Sequence, residues 1–595
     1  MPHAAPIRAA RLLSRTASLA LVGVLALVGF LRPAAAQTAQ VQRENDALRP
    51  IPALLTTNGV TQLHVDGAAF LVLGAELGNS TAADLPTLAR AMDRCAAMHA
   101  NTLLLPVYWD RFEPEEGVFD PTLVRGAIDL ARERNLRLVY LWFGTWKNSM
   151  SCYAPSWVKR DTERFPRVRT SAGEPLEIVS PACAAARAAD ARAFAALMRW
   201  TREYDGSHRT VVMAQVENEV GMIPEPRDHA AGSEAEYAAP VPDKLLDRAG
   251  RGELGDDIQA LWRDAGGHEI SSGDNSWANA FGDSPEAQEV FTAWQLASFV
   301  EAVAAAGKRE YPLPIFANAA LIRPGYRPGD YPAAGPLPHL MEVWRTAAPS
   351  VDMLCPDIYF PNFVEWIEKY DIAGNPVFVP EMAPSLRGPG NAVYALAAHN
   401  AIGFAPFALE SVDDEKERRF ENCVGRLSGF TDLILRAQRE DRIIGLAPDI
   451  SFDWRVDDQP ATGTLGGVEF TARFDRPGDG RTDETELPTL GSHNWDAPPG
   501  TPLGSAMIIQ LDDGEFLIFG MGVTITFSPA PGNESGRPAQ GFGKIGIDWV
   551  REGTFGDAGE WQPARWLNGD QTHQGRHIHL YDGWWTAQRV KLYRY

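Results

Sequence analysis

Cysteine is scarce in this chain, and what there is does not pair off. Five cysteines occur among 595 residues: Cys95, Cys152, Cys183, Cys355 and Cys423. The odd count leaves at least one thiol free, and no C-x-x-C or Cys/His group has zinc spacing. Cys152 and Cys183 flank a loop-like segment and are the best candidates for a disulfide; two separate buried thiols is the competing reading. Long apolar runs are missing too. After the N-terminus no stretch of about 20 apolar residues occurs, so no membrane span is predicted there. Bases are outnumbered: 55 Lys and Arg stand against 77 Asp and Glu, a net charge of −22. That argues against a nucleic-acid backbone or an anionic membrane surface as partner, and it fits a neutral ligand. No internal repeat is visible.

What is present begins with a leader-like segment. Arg8, Arg11 and Arg15 form a basic region, Ala17 to Leu31 an apolar one, and Ala34-Ala35-Ala36 a small-residue cleavage site. Residues 1–36 are read as a signal peptide, with export to the periplasm or the extracellular space expected. They hold four Arg and no acid, so a chain starting at Gln37 carries 51 bases against 77 acids, a net −26.

The rest alternates. Strands are predicted in eight places: from Phe70, Asn101, Leu136, Val211, Leu313, Val351, Val377 and Ile402. Helical spacing appears between many of them, as over Leu85 to Ala100, Ala184 to Tyr204 and Ala287 to Ala306. Eight strand–helix units predict an α/β fold, a (β/α)8 TIM barrel, over residues 37–445 with an N-terminal hairpin turning at Asp66-Gly67. Residues 224–284 are too long for a plain connection and are read as an insertion with a short helix, capping the barrel mouth. From about 446 short strands separated by Gly, Pro and Asp predict a C-terminal antiparallel β-sandwich domain.

Two strands end unusually. Val211-Val-Met-Ala-Gln-Val is an apolar run suited to a buried parallel strand, yet it finishes on Glu217-Asn218-Glu219. Val377-Phe-Val-Pro does the same and finishes on Glu381. Unpaired buried charge is costly, so such groups are either solvated or arranged for work. In a β/α barrel the C-terminal strand ends carry the active site. Two glutamates there suit glycosidic hydrolysis, which needs an acid to protonate the leaving oxygen and a carboxylate across the sugar. Glu219 fits the acid/base and Glu381 the nucleophile. Asn218 would donate to the hydroxyl beside the reacting carbon, and Tyr359 would donate to the nucleophile. Glu217 is the alternative acid, or else a buried partner for a basic group.

At these residues the sequence resembles glycoside hydrolase family 35, of the clan of retaining β/α-barrel glycosidases. The family's Gln-x-Glu-Asn-Glu signature stands here as Gln215-Val-Glu217-Asn218-Glu219, and its late strand-end glutamate as Glu381. Val107-Tyr-Trp109-Asp-Arg-Phe-Glu113-Pro114 followed by Gly117-Val-Phe119-Asp resembles its strand-two motif, and Ala154-Pro155-Ser-Trp157 its strand-three loop. The resemblance covers roughly residues 55–440. It implies a retaining exo-β-galactosidase with a carbohydrate substrate and no metal or organic cofactor. Departures occur at Val220, where the family has Tyr, and in the loops around Glu76 and Trp146. They resemble an exported bacterial branch that removes galactose from plant polysaccharides such as xyloglucan. A β-glucoside or α-L-arabinopyranoside as substrate, or a carbohydrate-binding protein without catalysis, are the alternatives.

Further substrate-binding candidates are Glu76, Trp109, Trp146 and Asn148, the tryptophans being either sugar platforms or wall packing. The run Asp475 to Glu484 resembles a calcium loop but reads better as a solvated turn. Asn533-Glu-Ser fits a glycosylation acceptor by pattern only. The sandwich would pack on the barrel, support its mouth or join subunits, and a homodimer is left open.

Overall fold

The computed structural model describes residues 49–266, 275–477, 496–531, 543–556 and 559–595. The leader at 1–36, the acidic run from 478 on and Asn533-Glu-Ser lie outside them. Residues 51–595 form one compact unit.

The chain enters through a three-stranded antiparallel sheet, Ala53–Thr57, Val60–Val65 and Ala68–Ala69. Its second turn is the expected Asp66-Gly67, both residues left-handed (φ 54° and 84°) as a tight primed hairpin turn requires. Eight parallel strands then close into a barrel: β1 (Val72–Glu76), β2 (Thr102–Tyr108), β3 (Arg137–Lys147), β4 (Val211–Asn218), β5 (Ile315–Ala320), β6 (Met353–Ile358), β7 (Val379–Met382) and β8 (Gly403–Pro406). They are mostly apolar because helices cover the outside and side chains fill the inside, with polar residues gathered toward their C-terminal ends. Closure is tight at the β8–β1 seam. A Cβ on Gly403 would stand 2.3 Å from the Val72 carbonyl oxygen, so only glycine lets these strands meet.

Helix α1 (Ala184–Asp205) leads into β4, and α2 (Pro285–Glu310) into β5. They pack so closely that a Cβ on Gly307 would lie 2.2 Å from the Phe194 ring. By length and composition α2 is apolar enough to cross a membrane, but it serves as a core helix, with 72% of its most apolar window buried. The insertion differs from expectation. It carries four short helices, Ala231–Tyr237, Asp243–Gly250, Asp256–Asp264 and Trp277–Phe281, and packs beside the helix Met341–Ala347 through Arg248–Glu342. Among the described residues none of it lines the barrel mouth.

The C-terminal region consists of two antiparallel sheets, beginning at Ile443 rather than 446. The strands are β9 (Ile443–Leu446), β10 (Ala461–Leu465), β11 (Val468–Phe474), β12 (Ala506–Asp512), β13 (Glu515–Gly520), β14 (Val523–Pro529), β15 (Ile545–Phe555), β16 (Trp561–Trp566), β17 (Ile578–Leu580) and β18 (Thr586–Arg594). One sheet has the order β9-β12-β13-β18-β15-β16, the other β10-β11-β14-β17. Side chains alternate across a strand. Ile508, Phe516 and Ile518 therefore face the four-stranded sheet, while Met507, Ile509, Leu517 and Phe519 join the barrel's own core. At β12 and β13 the larger sheet is thus buried on both faces.

All five thiols are free, and the expected Cys152–Cys183 bridge is absent. Cys183 instead caps α1, its sulfur accepting from the Ala186 N–H at 3.3 Å, while Cys152 is exposed.

Phe519 packs between Phe430 and Trp585, at 5.3 and 5.2 Å between ring centres. Phe519→Ala is expected to destabilise the protein by about 3–5 kcal/mol. In chemical denaturation, barrel and sheets should still unfold in one transition. A barrel transition left at its original midpoint would contradict the shared core.

Candidate active site

Glutamates 76, 219 and 381 all come to the same end of the barrel, because each stands at or just beyond the C-terminal end of its strand. Asp357, on β6, joins them, and it pairs directly with Glu381 in the β6–β7 register. All four are buried. One oxygen each from Glu219, Asp357 and Glu381 lies within 4.8 Å of the others. Like charges at that spacing in a low-dielectric pocket cannot all ionise freely. Burial, then the Glu381 charge, raise the Glu219 carboxyl to about 7. The same two causes push Glu76 well above the usual carboxylate range, and they do so for Asp357 with help from Glu219 and Glu76.

Each acid is held by specific donors. Tyr359 donates its hydroxyl to Glu381 Oε1, and Glu76 is within hydrogen-bonding reach of Glu381 as well. Burial and the Glu381 charge drive the Tyr359 phenol well up, so it stays a donor. Asn148 donates to Glu219 Oε2. Asn318, on β5, couples two strands: its Oδ1 accepts the Glu219 N–H at 2.9 Å, and its Nδ2 donates to Asp357 Oδ2 at 2.6 Å.

Lys147 is the cation of the cluster. Its ammonium donates to Asn218 Oδ1 at 2.6 Å, and its charge opposes the upward shifts of Glu76, Glu219 and Asp357. This fixes the Asn218 amide with Nδ2 buried and unpaired among the described residues. Glu76 Oε1, Asp357 Oδ1 and Glu381 Oε2 are buried without an ordinary donor and face carboxyl neighbours instead, Glu76 reaching Glu381 and Asp357 reaching Glu219. A native core rarely leaves a donor such as the Asn218 amide idle, so it marks a place for a polar ligand. The backbone is strained here as well. Asn148, Ser149, Glu217 and Glu219 all have positive φ, between 42° and 64°. For non-glycine residues that costs about 1–3 kcal/mol each and clusters at functional sites.

The cluster opens into a cavity of about 470 Å³. Glu219, Glu381, Asp357, Lys147, Asn148 and Tyr359 line it together with Arg323, Tyr326, Asp330 and Phe360. A larger cavity, about 530 Å³, lies between helix α3 (Asp414–Ser428) and the C-terminal sheet. It holds a single acid, Glu421, and none of the strand-end groups, so chemistry rather than size selects the smaller one.

Three expectations need correcting. Trp109 and Trp146 are buried, at 0% and 1% exposure, and line no part of the cavity. The Trp109 indole donates to Glu113 at 2.8 Å. The Trp146 indole donates to the Val179 carbonyl at 3.1 Å and packs 4.4 Å from the Phe299 ring centre. Both are wall packing. Among the described residues Glu217 has no basic partner: it accepts the Trp146 and Thr145 N–H groups at 2.7 and 3.2 Å and faces Asp190. Burial and Asp190 hold it well above the usual range, so it braces the β3–β4 junction. Asn218, Asn148, Tyr359 and Glu76 do gather around Glu219 and Glu381. Lys147, Asn318 and Asp357 were not anticipated, although all three are polar residues at or near the C-terminal ends of apolar strands.

No curated protein matches this sequence. Residues 425–579 match a family described as a domain of unknown function (DUF5597). Several solved structures show a partial likeness to this chain. A β-galactosidase from the psychrophilic Marinomonas ef1 is 10% identical with a TM-score of 0.43, the match covering 64% of this chain and 62% of that one. For a β-galactosidase from Bacillus circulans sp. alkalophilus the values are 16%, 0.43, 62% and 57%. For the catalytic domain of a β-amylase from Paenibacillus polymyxa they are 13%, 0.42, 59% and 96%. The chain thus spans about three-fifths of the two β-galactosidases. The fold itself rests on the closed eight-strand order.

Lys147→Met should lift the Glu219 carboxyl above about 7, because the one cation that lowers it is gone. Titration of carboxyl-labelled glutamate by NMR measures this directly. A Glu219 midpoint that stays put or falls would show that Lys147 does not act on it.

Proposed function

We propose that the protein is a retaining β-glycosidase that acts from chain ends, with β-linked galactose as its glycone. The observation that carries this reading is the approach of Glu219 and Glu381 oxygens within 4.8 Å across a cavity. Retaining enzymes keep their two carboxyls about 5–5.5 Å apart, while inverting ones leave room for water at about 6.5–9.5 Å. The resemblance of Gln215 to Glu219 and of Glu381 to glycoside hydrolase family 35 supports galactose and exo action. The leader-like residues 1–36 support export, and the departures around Glu76 and Trp146 support plant xyloglucan side chains as the source of substrate.

The roles follow from the donors. Glu381, as a carboxylate steadied by Tyr359, attacks the anomeric carbon and forms a glycosyl ester. Glu219 passes its proton to the glycosidic oxygen as the bond to the leaving group breaks. Glu219, now ionised, takes a proton from water; that water attacks the same carbon and releases Glu381. Two inversions give net retention. The unpaired Asn218 Nδ2 is placed to hold the neighbouring hydroxyl. A carboxyl that titrates at about 7 suits an acid that must give and regain a proton near neutrality.

Incubation with galactosylated xyloglucan oligosaccharides should release galactose, seen first as the β-anomer by NMR. The α-anomer appearing first would sink retention, and no release from these or from aryl β-galactosides would sink the glycone. Glu381→Gln should lower kcat on the order of a thousandfold or more. Because Glu219 must be protonated in the first step, kcat/KM should fall as pH rises through about 7. A profile flat from pH 6 to 9 would remove Glu219 from the role of acid.

A further inference from the structure

The connection after β5, residues 321–336, contributes Arg323, Tyr326, Asp330 and Tyr331 to the cavity. It is tied to the segment that carries Glu219. Met222 and Ala333 exchange both backbone hydrogen bonds, at 2.8 and 3.0 Å. The Tyr331 hydroxyl and the Ala334 N–H both donate to buried Glu289, at 2.7 and 2.9 Å. A general acid must face the leaving-group oxygen, so a wall fixed three residues beyond Glu219 borders the leaving group. On that wall Tyr326 is 46% exposed, and of the ten exposed large apolar or aromatic side chains among the described residues it is the one lining this cavity. Its hydroxyl has no partner among the described residues. The Arg323 guanidinium stands over the Phe360 ring at 5.8 Å and, among the described residues, has no carboxylate or carbonyl to accept from it. Asp330 accepts the Arg327 N–H at 3.1 Å, which leaves it further acceptor capacity.

We infer that this loop forms a leaving-group subsite for a neutral sugar ring stacked on Tyr326, with Arg323 and Asp330 taking its hydroxyls; the inference rests on the glycosidase reading above. A pyranose offers one C–H face to an aromatic ring and hydroxyls at its edge to a donor fork and a carboxylate. Charges of both signs on the same rim disfavour an ionic aglycone of either sign. A plain alkyl or aryl group would offer no hydroxyl to Arg323 and Asp330, which would stay hydrated instead.

The test compares two substrates of one glycone: β-galactosyl fluoride, whose leaving group is a single ion, and lactose, whose leaving group is a neutral hexose. In Tyr326→Ala the ratio of kcat/KM for lactose to that for the fluoride should fall about tenfold, carried by KM for lactose. Tyr326→Phe, which keeps the ring face, should restore most of it. Equal losses on both substrates, or an unchanged ratio, would overturn the subsite. Wild-type protein inert toward the fluoride would overturn the galactosidase reading itself, and the subsite with it.

Discussion

Four carboxyl groups crowd one end of the barrel, and the cost of removing their charges from water governs everything around them. Water would solvate four carboxylates readily; a protein interior does not. The structure answers by favouring the protonated form of the two most buried acids, Glu76 and Asp357, and by admitting Lys147 among them. Tyr359 and Asn148 add donors to Glu381 and Glu219. The outcome is a division of labour imposed by position. Glu381 sits where the Tyr359 hydroxyl donates to it, while Glu219 sits where burial and a neighbouring charge favour keeping its proton.

The barrel supplies that positioning. Parallel strands set their ends side by side, so residues far apart in sequence reach one pocket without long loops. Asn318 shows how finely this is used, with its two amide ends joining the β4 backbone to the β6 carboxylate. The left-handed residues at 148, 149, 217 and 219 are the cost of turning the chain sharply enough to keep these side chains inside.

Much of this was legible in the sequence because apolar runs that end on acids are rare. Glu219 and Glu381 stand out against Val-Val-Met-Ala and Val-Phe-Val-Pro, and the eight strands read as apolar stretches between helical periods. Asp357 was harder to see, since Ile358 and Tyr359 carry the apolar run past it. Lys147 was invisible as a site residue. A lysine at a strand end reads as solvated, and only its pairing with Asn218 across β3 and β4 buries it. Trp109 and Trp146 could be read as sugar platforms, yet which way an indole faces depends on its packing partners, here Glu113 for Trp109 and the distant Phe299 for Trp146. In the C-terminal sheets, β12 and β13 were readable from their apolar runs. Edge strand β16 is almost wholly exposed and shows no alternation to read.

The two-sided burial of the larger C-terminal sheet has a consequence for how this protein can be taken apart. The match to the family of unknown function begins at residue 425, inside helix α3, which runs from Asp414 to Ser428. A cut there would sever a helix and bare the greasy side of β12 and β13, while the barrel would lose the cover over Phe430. The C-terminal region is therefore no detachable cassette. Chimeras that graft it onto another barrel, or expression of either half alone, must supply a replacement for that lost surface or face aggregation.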